Sequence, residues 1–499
     1  MISIKDLRNF TQLYKEKICI VDKNSKYTWE DILEKTNQLL MFLLTKFQTK
    51  ELVSVCYLTK NNVDIICWLA ALATLKIPVT GIDYSLPLST VKKLLIKINP
   101  SLLLVSSDLY STNEIDSLKI HNLKVINIHN NAILSQINSG ELYSEDLDNL
   151  LSKHIPPKFC SISLTSGTSS IPKVVIRHNT FESKRFSWFI QRFNFCKDDG
   201  FMLILPLYHA AGNSWARMFM GLGATLYLVD QSNNEEMLKA ITTNPIKTTV
   251  MTPILLTKLI NLVKENNLTP HLKWILVGGS HFPIQQKLDA ISIFGDVLCE
   301  YYGCTETGVN VLADSFDMKI CPESVGKAFE GNQVIILNED NTPIQSSIPG
   351  KVAISSYMLM DQYKDGKNPF ITINNKKFFI MPDYGYIREN RLILMNRNGN
   401  SSCKDDIYHL ENAIRNLFFI KDIALTTLRL KEENQILCIF SSSESKLIDE
   451  EQKLIAIREL AEQLGYHNFS VKEVTTIPYS PSGKVRINEI FNIFGLDSQ

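Results

Sequence analysis

The sequence predicts an α/β protein: a large N-terminal domain of two doubly wound α/β subdomains plus a β-rich subdomain, then a small α+β C-terminal domain. Three observations predict it. Up to Val277, short apolar or β-branched runs alternate with helical patterns, the rhythm of strands and helices around a mostly parallel sheet. After Gly326 the texture changes to short strand-like segments joined by polar turns. Arg397-Asn398-Gly399-Asn400-Ser401-Ser402 then gathers turn formers ahead of a compact final module. The expected division is a domain over 1–395, a hinge over 396–402 and a C-terminal domain over 403–499.

The elements follow in order. Tyr27-Thr28-Trp29-Glu30 opens an amphipathic helix, with Thr28 as its cap and Ile32, Leu33, Leu39, Leu40 and Leu43 at helical spacing. Leu52–Tyr57, Val79–Ile82, Leu102–Ser106 and Val125–Ile128 read as strands. Phe201–Leu205, Thr225–Val229 and Trp274–Val277 are apolar throughout or nearly so, as strands buried on both faces are. Gln333–Leu337, Lys351–Ser355, Lys377–Ile380 and Leu392–Met395 supply the β-rich unit. Internal repeats and long low-complexity tracts are missing from the sequence.

Composition excludes several classes. The chain has 499 residues, more than one core accommodates at about 150 residues per domain. Its 52 basic and 52 acidic side chains balance, so a general nucleic-acid or polybasic membrane role has no electrostatic basis and any anion site is local. The apolar run Ile65–Leu75 falls short of the roughly 20 residues that span a bilayer and reads as a buried helix. The N-terminus lacks the pattern of a secretory signal, and the cytoplasm is the expected compartment. Ten scattered cysteines with no C-x-x-C pair predict reduced thiols in or near the core, with neither a disulfide framework nor a zinc module.

Ser163-Leu164-Thr165-Ser166-Gly167-Thr168-Ser169-Ser170-Ile171-Pro172-Lys173 is the most informative segment. Small hydroxyl residues flank a glycine that lets backbone N–H groups converge, and a lysine follows, a composition suited to cradling polyphosphate. It is not a Walker A loop, because Pro172 stands where the second glycine belongs. On its own the segment is equally an ordinary Ser/Thr-rich surface loop.

The loop resembles the signature of the adenylate-forming superfamily: acyl-CoA synthetases, adenylation domains of nonribosomal peptide synthetases and luciferases. The companion motifs occur in the family's order. Tyr27-Thr28-Trp29-Glu30 and Leu75-Lys76-Ile77-Pro78 resemble the two early structural motifs, and Leu205-Pro206-Leu207-Tyr208-His209-Ala210-Ala211-Gly212 the acyl-pocket motif. Val277-Gly278-Gly279-Ser280 resembles the glycine turn beside adenine, and Tyr302-Gly303-Cys304-Thr305-Glu306 is similar to Y-G-x-T-E. Val325-Gly326-Lys327, Pro382-Asp383-Tyr384-Gly385, Asn396-Arg397 and Pro481-Ser482-Gly483-Lys484-Val485 complete the series.

What the resemblance implies is an AMP-forming acid–thiol ligase with a mobile C-terminal domain. ATP and Mg²⁺ activate a small carboxylic acid as acyl-AMP, and the acyl group passes to the thiol of CoA or to a carrier-protein phosphopantetheine. Thr165, Ser166, Gly167, Thr168 and Lys173 are implied at the β/γ-phosphates, where their work is positioning. Glu306 is implied as the Mg²⁺ ligand, since Mg²⁺ takes one or two carboxylates with phosphate oxygens and water. Thr305 is implied at the α-phosphate, Asp383 at the ribose hydroxyls, Arg397 at ribose or phosphate, Tyr302 stacked on adenine, and Gly278 and Gly279 behind the base. Lys484 is implied as the catalytic ammonium bridging carboxylate and α-phosphate, and His209 as a wall of the acyl site.

Three departures accompany the match. Ser170 and Pro382 stand where the family has glycine, and the hinge reads Asn396-Arg397-Asn398-Gly399 in place of G-R-x-D, which weakens the case for the thiol step relative to adenylation. An α-amino acid needs a buried carboxylate for its ammonium, and none occurs between Gly200 and Val229, so a non-amino acid is expected. Asn213, Trp215 and Arg217 are equally candidate substrate contacts and helix-packing residues. The alternatives are a stand-alone amino-acid-activating enzyme and a non-catalytic nucleotide-binding member of the fold.

Overall fold

Two parallel sheets form the framework of the computed structural model, which describes residues 1–47, 51–129, 144–165, 171–180, 182–243, 245–366, 368–397, 406–429, 434–443 and 448–496. The smaller sheet orders Val79–Gly81, Val55–Leu58, Leu102–Val105 and Lys124–Asn127, all parallel. The larger runs Ile18–Asp22, Leu226–Leu228, Gly200–Leu203, Ile246–Met251, Trp274–Gly278 and Leu298–Cys304 in parallel. The strand Ile18–Asp22 from the chain start therefore pairs with Leu226–Leu228, about 200 residues further on, so the large sheet takes strands from both before and after those of the small sheet.

Leu298–Cys304 turns back into the antiparallel strand Gly308–Asp314, and pairing continues through Ser324–Ala328, Arg391–Arg397, Lys376–Arg388, Gly350–Ser356 and Asn332–Leu337. The β-rich unit expected after Gly326 is thus an edge-to-edge extension of the large sheet, because Ser324–Ala328 pairs on both sides. Gly326, at φ 103°, makes this pairing possible: a Cβ there would stand 2.1 Å from the Leu312 carbonyl oxygen.

Helices fill the gaps as the sequence indicates. In Trp29–Lys46 the Thr28 hydroxyl accepts from Asp31 N, and the Asp31 carboxylate accepts from Thr28 N at 2.7 Å, a reciprocal cap. The Ile65–Leu75 run fills the helix Val63–Thr74 and its C-cap Leu75, and Ile65, Ile66, Trp68 and Leu72 are buried. The main core includes fully buried Trp29, Trp215 and Trp274, with Phe189 4.8 Å from the Trp215 ring. Each such side chain contributes about 1.5–3 kcal/mol by burial, enough to hold the flanking helices in place. A buried Lys287–Glu300 ion pair of 2.6 Å ties the helix Ile284–Phe294 to the strand that ends at Cys304.

Residues 406–496 build a separate three-stranded sheet of Ile420–Arg429, Asn434–Ser442 and Phe469–Glu473, with its own core around Leu410, Ile414, Phe440 and Ile457. Arg415 joins Glu411 at 2.9 Å and Asp422 at 3.1 Å, and the Tyr479 hydroxyl donates to Asp422 at 2.8 Å. This network fixes the root of the Ser480–Lys484 turn. The nine described cysteines are free thiols, and Cys196 is the exposed one among them. Among the described residues no helix is long and apolar enough to cross a membrane.

Candidate active site

Two paired strands flank the phosphate-loop candidate. Ser161–Leu164 pairs antiparallel with Val174–Arg177, and at its mouth Thr165 N donates to Lys173 O at 3.0 Å while Lys173 N donates to Thr165 Oγ1 at 3.1 Å. Ser166, Gly167, Thr168 and Ser170 lie outside the described residues. Gln362–Tyr363 pairs with the other side of Val174–Arg177, which brings Tyr363 beside the loop. Lys173 Nζ stands 5.1 Å from the Tyr363 ring, and the Tyr363 hydroxyl donates to Glu306 Oε1 at 2.8 Å. One tyrosine thus links the lysine and the carboxylate expected around the pyrophosphate. Burial and the neighbouring Glu306 charge push the Tyr363 phenol up, so it remains a donor.

Thr305 and Glu306 occupy the tight turn between Leu298–Cys304 and Gly308–Asp314. Gly303 is required there, because a Cβ would lie 1.9 Å from the Gly308 carbonyl oxygen. Thr307 N returns to Cys304 O at 3.2 Å, and the buried Arg177 donates to the Thr305 carbonyl and to Met358 O, which sets the turn's direction. Glu306 is buried. A single oriented carboxylate beside a phosphate loop fits Mg²⁺, whose other ligands are phosphate oxygens and water. Groups of three or more His, Cys, Asp or Glu able to cage a metal are missing among the described residues.

Among the residues expected around the nucleoside, the Tyr302 hydroxyl donates to Asp383 Oδ2 at 2.7 Å, and Asp383 is buried. Arg397 pairs in register with Asp383 across adjacent strands. The two glycines differ in role. Gly279, at φ 91°, lines the cavity, whereas Gly278 is covered by Tyr301, whose ring would meet a Cβ at 2.6 Å. The sequence placed both behind the base; in the structure Gly278 accommodates Tyr301.

The C-terminal unit reaches this site through Lys484. Ser480 N donates to Lys484 O at 2.8 Å and Lys484 N to Ser480 Oγ at 3.2 Å, closing a turn that Gly483 permits at φ 75°. Lys484 Cε lies 3.4 Å from where a Gly279 Cβ would be. Pro481 O accepts from Gln231, Arg486 donates to Ser85 Oγ at 2.6 Å, and Tyr408 stacks on His281 with centroids 4.1 Å apart. A cavity of about 540 Å³ between the two parts is lined by Thr165, His209, Gly279 and Lys484, and a second of about 800 Å³ by His209, Gly279, Thr305 and Lys484.

His209 caps the helix Ala210–Gly221, its Nδ1 accepting from Ala211 N at 3.3 Å. Burial and the Lys484 charge lower its pKa to about 3, so the ring is neutral with its proton on Nε2. Asn213, Trp215 and Arg217 all line the larger cavity. So does Glu182, a carboxylate outside the stretch searched by sequence, and Arg217 Nη2 donates to it at 2.6 Å. Arg177, Tyr363 and Glu182 were not singled out by the sequence; register with the phosphate hairpin is the signal that finds the first two.

The chain is 22% identical over 389 residues to a 2-succinylbenzoate–CoA ligase of Haemophilus influenzae, an alignment covering 78% of this chain and 74% of that one. A medium/long-chain-fatty-acid–[acyl-carrier-protein] ligase of Mycobacterium tuberculosis, FadD10, is 29% identical over 206 residues, or 39% and 37% of the two chains. The solved O-succinylbenzoate coenzyme A synthetase (MenE) of Bacillus subtilis, in complex with AMP, superposes over 97% of both chains with a TM-score of 0.76 and 17% identity, so it shares the fold. The family model described as AMP-binding enzyme matches residues 7–364, and with the phosphate hairpin and the Thr305–Glu306 turn inside that span, the chain belongs to the AMP-binding enzyme family.

Proposed function

We propose that this protein is an AMP-forming acid–thiol ligase: it activates a carboxylic acid with ATP as acyl-AMP, releasing pyrophosphate, and transfers the acyl group to a thiol. The observation that carries this reading is Lys484, brought by the C-terminal turn to the cavity that Thr305, Gly279 and His209 also line. A carboxylate oxygen attacks the α-phosphorus, a C–O–P bond forms, and the bond to pyrophosphate breaks. The Lys484 ammonium stabilises charge between the reacting carboxylate and α-phosphate. Thr165, Ser166, Gly167, Thr168 and Lys173 hold the β/γ-phosphates, Thr305 contacts the α-phosphate, and Asp383 with Arg397 orients the ribose. Glu306 would hold Mg²⁺, which neutralises pyrophosphate charge when bound. Tyr302 flanks adenine with its hydroxyl anchored on Asp383. Neutral His209 forms the wall between acyl site and nucleotide, and it acts by contact rather than as an acid.

A non-amino acid is the favoured substrate class, because Glu182, the carboxylate that meets the guanidiniums of the acyl cavity, is already engaged by Arg217. Coenzyme A is the favoured acceptor, in line with the 2-succinylbenzoate–CoA ligase that covers 78% of the chain. A carrier-protein arm is the second acceptor, favoured by the FadD10 match. We place the domain division after residue 395, with rotation about 396–402 serving thioester formation; residues 398–402 lie outside the described part. The test is product analysis with ATP, an acid panel and CoA. AMP, pyrophosphate and an acyl-CoA of matching mass are expected; ADP with phosphate would overturn the proposal.

A further inference from the structure

Lys484 belongs to the C-terminal unit, whereas Thr305, Gly279 and His209 belong to the N-terminal part, so the position of the ammonium depends on how the unit is seated. Near the turn the seat consists of Gln231 on Pro481 O and Arg486 on Ser85. A second contact lies on the helix Ile407–Arg415, and acid activation as described above does not use it.

Tyr408 and Asn412 stand four residues apart and so share one face of that helix. The Tyr408 ring lies flat on the His281 ring, with centroids 4.1 Å apart and planes 7° from parallel. His281 and Tyr408 both line the smaller cavity, which Lys484 also lines, so the stack forms part of its wall. Asn412 Oδ1 accepts from Ile284 N at 3.1 Å, and Asn412 Nδ2 donates to Tyr408 O at 2.8 Å, which fixes the way the amide faces. Ile284 is the first residue of the helix Ile284–Phe294, whose leading N–H groups have no acceptor within the helix, and Pro283 before it has no side-chain oxygen to offer. Asn412 therefore supplies, from the C-terminal unit, the cap that Pro283 cannot.

Both sides of this contact are held. The helix Ile284–Phe294 is tied to the large sheet by the buried Lys287–Glu300 pair. On the other side Arg415, in the last turn of the helix that carries Tyr408 and Asn412, pairs with Asp422, and Asp422 accepts from Tyr479, the residue before the Ser480–Lys484 turn. A shift of this helix is thus passed on to the ammonium.

We propose that Tyr408 and Asn412 are positioning residues for acid activation: stacked on His281 and capping the helix at Ile284, they seat the C-terminal unit so that Lys484 reaches the cavity. The proposal rests on the acid-activation reading above and names what holds its ammonium in place.

The test takes Asn412→Ala and Tyr408→Ala through two readouts. In acyl-AMP formation across fatty, aryl, hydroxy and dicarboxylic acids, kcat is expected to fall at least about tenfold while the KM for ATP stays within about twofold, because Lys173, Glu306 and Asp383 lie on the N-terminal part. In labelling with an amine-reactive reagent, followed by mass spectrometry, partly buried Lys484 is expected to react about two- to thirtyfold faster, the change in seated population that loss of a helix cap gives. Lys453, buried within the C-terminal unit and paired with Glu473 at 3.1 Å, is expected to stay protected. Asn412→Ala decides alone if Tyr408→Ala does not fold. Unchanged kcat, unchanged Lys484 labelling, or exposure of Lys453 together with Lys484 overturns the positioning role and leaves acid activation standing; the last of these assigns the two residues to the folding of their own unit. Absence of acyl-AMP formation by the wild type with every acid, in protein that binds ATP, overturns acid activation and this proposal with it.

Discussion

Lys484 and Glu306 are placed by opposite means. Lys484 rides on a turn of the C-terminal unit whose root is the Arg415–Asp422–Tyr479 network, and Glu306 sits in a turn that Gly303 and Arg177 hold rigid. Lys484→Ala is expected to lower single-turnover acyl-AMP formation by about 10²–10³-fold while ATP binding persists, since one charge-stabilising group is removed from the transition state. Tyr363→Phe isolates the hydroxyl on Glu306, because the ring beside Lys173 remains. Losing a hydrogen bond to a charged group costs about 1.5–3 kcal/mol, so the KM for Mg-ATP is expected to rise about tenfold or more. An unchanged KM would show that Glu306 needs no such orientation. The motif residues were legible because glycines, hydroxyls and charges at fixed spacing report their chemistry directly. Tyr363 and Glu182 were not, because their partners lie 57 and 35 residues away in sequence and only pairing of distant strands and helices brings them together.

At the scale of elements, the central strands and the early helices were readable from apolar runs and caps, and the observed Val55–Leu58, Leu102–Val105, Gly200–Leu203 and Trp274–Gly278 fall within a few residues of the expected positions. Ile18–Asp22 was missed because it is a short edge-side strand whose partner, Leu226–Leu228, is remote. The continuity of the β-rich unit with the large sheet was likewise invisible, since texture reports strand content and not pairing. The Ser480–Lys484 turn gives the sharpest test at this scale. Gly483 has φ 75°, and a Cβ there would stand 2.1 Å from Thr252 Oγ1 in the N-terminal part. Gly483→Ala is expected to displace Lys484 and lower the adenylation kcat at least about tenfold, with a stability loss of only about 1–2 kcal/mol. Retained kcat, measured with a saturating acid, would mean that the turn seats Lys484 in another way.

Across the whole molecule, two buried histidines couple folding to pH. Burial holds His209 and His281 neutral in the folded chain, His209 down at about 3 and His281 well below its ordinary value of 6.5. The unfolded chain therefore takes up protons first as pH falls through 6.5, and the stability these groups permit above that value is lost progressively below it, for His209 down to about 3. By pH 5.5 each is expected to cost about 1.4 kcal/mol relative to pH 7.5. Denaturant midpoints at the two pH values check this, and His281→Gln is expected to flatten the difference; an equal difference in the variant would contradict it.

The central claim is that the two parts of the chain, joined at Lys484, activate a carboxylate with ATP. The most direct measurement is exchange of labelled pyrophosphate into ATP across fatty, aryl, hydroxy, amino and dicarboxylic acids, with Lys484→Ala beside the wild type. Acid-dependent exchange in the wild type that the variant loses is the predicted result. ATP binding without exchange for any acid, or exchange that Lys484→Ala leaves intact, would contradict it.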